Sequence, residues 1–115
     1  MRAASALLAE ALAVLGLFAF APSFARAEEG AKLYEANCAK CHGADGRADT
    51  PMGKAMKAAS LVDPKWAAPD SAAALVAAFH ANPKHKAIAS KVSDDDLRAI
   101  AVHVRALAGG SAAPK

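Results

Sequence analysis

The chain has 115 residues, of which 55% are hydrophobic but only 5% aromatic. That length suits one small domain. Its formal charge of +3 comes from 14 basic and 11 acidic residues, with no run of Lys or Arg, so nothing points to nucleic acid. A domain of this size has a thin core, and an alanine-rich one has few large side chains to fill it.

In chain order, the first segment reads as a targeting signal rather than as fold. Arg2 gives a positive start, residues 11–21 ("ALAVLGLFAFA") are apolar, Pro22 breaks the run, and "ARA" at 25–27 has the small-x-small form of a cleavage site. The apolar run of 11 residues falls short of the roughly 20 a membrane span needs. Residues 1–27 are therefore expected to be a secretory signal peptide, removed before Glu28, leaving no membrane span; an uncleaved anchor is the alternative. Removal takes Arg2, Arg26 and Glu10 and leaves a net charge of +2. Residues 28–108 form the expected domain, and 109–115 ("GGSAAPK") a flexible tail.

Within the domain, residues 28–38 ("EEGAKLYEANC") predict a short amphipathic helix. Glu28 and Glu29 would sit at its positive end, and Leu33, Tyr34 and Cys38 would share a face. "GADGRADTP" reads as loop, "MGKAMKAASL" as one or two helical turns, and "VDPKWAAPD" as irregular between Pro64 and Pro69. "DSAAALVAAFHAN" predicts a helix capped by Asp70 or Ser71, with Leu75 and Phe79 four apart and Pro83 ending it; "PKHKAIASKV" reads as loop. The final helix is the clearest. Ser93 is a good N-cap, Asp96 completes a box-like pattern, and Leu97, Ile100, Ala101, Val104 and Leu107 follow helical spacing up to Gly109 and Gly110. No segment alternates like a strand, so the fold class is all-α.

Cys38, Cys41 and His42 spell C-x-x-C-H and contain the only two cysteines. This order is the attachment signal of c-type haem. Two thiols can add to the two haem vinyl groups as thioethers from one side of a helical turn, and the next residue then lies beneath the iron, where an imidazole is a good ligand. A thioredoxin-like pair would follow a strand, and here a helix precedes it. A zinc site wants four ligands, and His80 and His85 fit no common spacing. A disulfide across two residues would staple little. Haem also answers the thin core, because a flat macrocycle brings the missing apolar bulk.

"GAKLYEANCAKCHGADGRADTPMGKAM" and "KVSDDDLRAIAVHVRAL" resemble the opening and closing segments of small bacterial class I c-type cytochromes, over residues 28–107. The resemblance implies a cytochrome c-like fold of three to five short helices around one covalent haem c. It implies a periplasmic, monomeric, single-electron carrier that serves redox partner proteins and is not an enzyme. It also implies that Gly30 lets the first and last helices cross and that Tyr34 packs at the crossing. Most such relatives carry an axial methionine eight residues ahead of the Ser cap. Here that position is His85, and no methionine follows Met56.

The expected iron ligands are therefore His42 and His85, which would make the carrier low-potential. His80 is the second choice for the far side. Met52 and Met56 are expected as core fillers, and His103 as a structural histidine near Gly30 and Tyr34. Trp66 is read either as a haem propionate contact or as an edge residue without that bond. Lys40, Lys54, Lys57, Lys84, Lys86 and Lys91 are read either as a ring steering an acidic partner or as ordinary solvated lysines. Asp94, Asp95 and Asp96 are helix N-terminal charge. The alternative function is a haem-based sensor or binder of gases and small molecules, with His85 displaceable.

Overall fold

A computed structural model describes residues 22–110. The chain forms α1 (Pro22–Asn37), α2 (Ala39–His42), α3 (Pro51–Met56), a 3₁₀ turn (Pro64–Ala67), α4 (Ser71–Ala81), a second 3₁₀ turn (Pro83–His85), α5 (Lys86–Ala89) and α6 (Asp94–Ala108). Among the described residues there is no strand, and the fold is all-helical as expected. No helix among them is long and apolar enough to cross a membrane.

The frame is the crossing of α1 and α6. At Gly30 the helices approach so closely that a Cβ would collide with the Ala99 carbonyl. One turn further on, Tyr34 is 1% exposed. Its ring lies 4.9 Å from that of His103, and its hydroxyl donates to the Gly43 carbonyl at 2.6 Å. The role expected for His103 is thus the one it has.

At the start of α6, Ser93 Oγ accepts from the Asp96 N–H, and Asp96 Oδ2 accepts from the Ser93 N–H, each at 3.0 Å. Two otherwise orphan donors are satisfied this way. Leu97, Ile100, Ala101, Val104 and Leu107 then bury one stripe of the helix against Tyr34, Leu75, Phe79 and Val92.

Several elements differ from expectation. α1 begins at Pro22 and runs unbroken through residues 27 and 28. Proline is tolerated in a first helical turn, and the alanine-rich stretch after it has high helix propensity. Glu28 and Glu29 consequently lie inside the helix rather than at its positive end, and Glu28 pairs loosely with Lys32 at 4.0 Å. Arg26 donates to the Asp95 carbonyl and to Asp95 Oδ1, both at 3.2 Å. Residues 1–21 of the expected signal peptide and 111–115 of the expected tail lie outside the described residues.

The segment 83–92 is more ordered than a loop. The Asn82 side chain accepts from the Lys84 N–H at 3.0 Å and caps the turn that carries His85. Asp70 occupies the cap position of α4 without a side-chain bond; Ser71 Oγ instead donates to the Trp66 carbonyl at 2.9 Å. Met52 and Met56 are not core fillers, being 40% and 42% exposed. The reason lies in α3, whose inward contact is Gly53: a Cβ there would strike the Cys41 carbonyl.

Candidate haem-iron centre

The C-x-x-C-H turn is held from both ends. The Cys38 N–H donates to the Tyr34 carbonyl at 2.7 Å, and the His42 N–H to the Cys38 carbonyl at 2.9 Å. Gly43, at φ 82°, ends α2 in a conformation that favours glycine. Thr50 ties the turn to α3. Its hydroxyl donates toward the carbonyls of Lys40 and Cys41, at 2.8 and 3.2 Å, and accepts from the Gly53 N–H at 2.9 Å.

Cys38 and Cys41 are half-buried free thiols, not a disulfide. Burial, and then the neighbouring Cys41, push the Cys38 thiol up to about 11. It stays protonated at neutral pH, unlike the activated thiolate of a redox pair. Among the described residues no group of three or more His, Cys, Asp or Glu could hold a metal ion by itself.

Above α2 lies a cavity of about 330 Å³. Its walls include both cysteines together with Leu75, Phe79, Leu97, Ile100 and Val104. His42 and His85 both line it, with ring centroids 6.3 Å apart and planes 46° apart. His42 Nδ1 is 2.8 Å from the Ala59 carbonyl, and His85 Nδ1 is 2.8 Å from the Phe79 carbonyl. Burial lowers the His42 pKa below the ordinary imidazole value; the Ala59 carbonyl opposes this, and His85 adds to it. The neutral ring is the form that ligates metal.

The residues present fit a haem. Two imidazoles sharing one metal ion, with nitrogens about 2 Å from it, place their centroids roughly 6 Å apart. The cavity that both rings line is mainly apolar, and the two cysteines line it as well.

The other expected residues divide. Trp66 is half-buried and lines the cavity, with Lys65 Nζ 4.9 Å above its ring. Met56 lines the cavity despite its exposure. His80 is committed elsewhere, its Nε2 lying 2.7 Å from Asp94 Oδ1. All six expected lysines are exposed, but of these only Lys57 and Lys84 line the cavity; Lys65, not anticipated, joins them. Lys54 faces Asp49 instead, at 3.5 Å. Lys84 Nζ donates to the Met56 carbonyl at 2.6 Å and joins the His85 turn to α3.

Sequence reasoning missed Thr50 and Phe79. Thr50 was detectable as a Thr before Pro, the pattern of an N-cap followed by N1 proline. Phe79 acts partly through its carbonyl, which leaves no trace in a sequence.

An all-helical domain that presents a C-x-x-C-H turn to an apolar cavity is a cytochrome c domain. More particularly, the chain belongs to the family described as cytochrome C oxidase, cbb3-type, subunit III, whose family model matches residues 25–104. It is 31% identical over 86 residues to the cbb3-type cytochrome c oxidase subunit FixP of Rhizobium meliloti (strain 1021). It is 33% identical over 87 residues to the subunit CcoP of Cereibacter sphaeroides. These matches cover 72% and 71% of this chain but 28% of each relative, so the chain spans under a third of the length of the proteins it resembles. No solved structure matches it.

Proposed function

We propose that this domain is a periplasmic single-electron carrier. One haem c would be attached through thioethers at Cys38 and Cys41, with its iron held by His42 and His85. The observation that supports this most is the 6.3 Å spacing of the two imidazoles across the apolar cavity, each with Nδ1 tied to a backbone carbonyl. A carbonyl partner keeps the proton on Nδ1 and leaves Nε2 as the free donor nitrogen. Haem, when bound, supplies the one-electron iron couple. A second imidazole in place of a thioether favours ferric iron and lowers the potential.

Both histidines sit on short braced turns, so the ligand set need not rearrange when an electron arrives. Lys57, Lys65 and Lys84 at the cavity put positive charge where a partner would approach, which suits an acidic redox protein. Kinship with cbb3-type cytochrome c oxidase subunits supports a redox protein as the class of partner. Export rests on the signal-like residues 1–27. Their removal would break the Arg26–Asp95 pair, whose side chains are 38% and 77% exposed, at little cost.

Carbon monoxide tests the closed site. The ferrous holoprotein should bind it poorly, and the His85→Ala variant should bind it rapidly. Equal rates in the two proteins would remove His85 from the ligand set.

A further inference from the structure

We propose that Phe79 is a positioning residue that fixes the orientation of the His85 imidazole and keeps it turned into the cavity. The inference rests on His85 being the iron ligand and concerns what holds it there.

Phe79 grips the ring twice. The two rings are nearly parallel, 9° apart with centroids at 4.4 Å, so the phenyl covers one imidazole face. The Phe79 carbonyl lies 2.8 Å from Nδ1, at the ring edge. A face contact and an edge contact constrain different rotations, so together they fix both side-chain torsions. The carbonyl belongs to the last turn of α4, where helix carbonyls lack intrahelical partners and the dipole is negative. It also accepts from the Asn82 N–H at 3.3 Å.

Phe79 is itself held. It is 8% exposed. The His80 ring meets it edge-on at 5.4 Å, and His80 is pinned to the start of α6 through Asp94. His85 also borders a second cavity of about 230 Å³, whose lining includes Phe79, Pro83 and Lys86. The imidazole therefore has space beside it other than the first cavity, and the Phe79 grip opposes a swing into that space. One side chain thus separates a closed electron-carrying site from one open to small ligands.

The test compares holoproteins carrying Phe79→Leu, Phe79→Tyr and His85→Ala with the unaltered protein. It uses ferric electron paramagnetic resonance and carbon monoxide binding to the ferrous form. Leucine keeps the apolar bulk and the backbone carbonyl but removes the stacked ring; tyrosine restores the ring. Phe79→Leu should shift the ferric g-values and speed carbon monoxide binding severalfold, since the hydrogen bond to Nδ1 survives and only the face contact is lost. Phe79→Tyr should match the unaltered protein. Unaltered g-values and rates in Phe79→Leu, with His85→Ala open, would overturn the inference and leave the ligand assignment standing. An equal shift in Phe79→Tyr would also overturn it, since core fit rather than stacking would then be at work. A His85→Ala protein indistinguishable from the unaltered one would refute the ligand assignment and the inference with it.

Discussion

His103 shows how one half-buried side chain couples this fold to pH. Burial beside Tyr34 lowers its pKa from the ordinary 6.5, so the native ring stays neutral where an unfolded chain takes up a proton. As pH falls through 6.5 the unfolded state binds more protons, so this contribution is complete above that value and is lost on the way down to the native pKa. The thermal midpoint of the ferric holoprotein should therefore decrease as pH is lowered below 6.5. Phe in place of His103 should flatten that dependence while keeping the aromatic packing. A pH profile as steep in His103→Phe as in the unaltered protein would show that the ring does not titrate against folding. His103 and Tyr34 were both legible at this scale, because the resemblance placed an aromatic crossing there. Met52 and Met56 were misjudged, because Gly53 takes the inward position on α3 that an apolar side chain would otherwise fill.

Among the elements, α6 was the most readable, since its boundary and its buried stripe are both written in side chains. Its capping box can be probed directly. Ser93→Ala removes an N-cap acceptor worth about 1 kcal/mol, which should lower the melting temperature by about 4–8 °C in a domain of this size. A midpoint unchanged by Ser93→Ala would mean that the cap is not limiting. The start of α1 was less legible, because the cleavage-like "ARA" and the helix-favouring alanines are the same residues. The short helices after α4 were hidden by Asn82 and Pro83, which signal a turn but do not say that the chain resumes a helical path. That local path carries His85 back over the cavity. The ligand position was thus readable by its place in the chain, while the carbonyls of Ala59 and Phe79 that orient the two rings were not.

At the scale of the whole molecule, the shortage of bulky side chains meets a cavity of about 330 Å³. Its lining is largely apolar, with Leu75, Phe79, Leu97, Ile100 and Val104 in it, and leaving such a surface to water forfeits part of the burial that stabilises a small domain. The prosthetic group is therefore expected to be part of the fold. A Cys38→Ser/Cys41→Ser protein, purified without haem, should lose most of its helical circular dichroism at room temperature. A fully helical, cooperatively melting haem-free protein would show that the side chains suffice alone. The central claim is that two imidazoles hold one iron across this cavity, and low-temperature electron paramagnetic resonance of the ferric holoprotein tests it most directly. The result predicted is a low-spin signal with the g-values of two imidazole ligands; the signature of imidazole with thioether sulfur, or a high-spin signal from an open site, would contradict it.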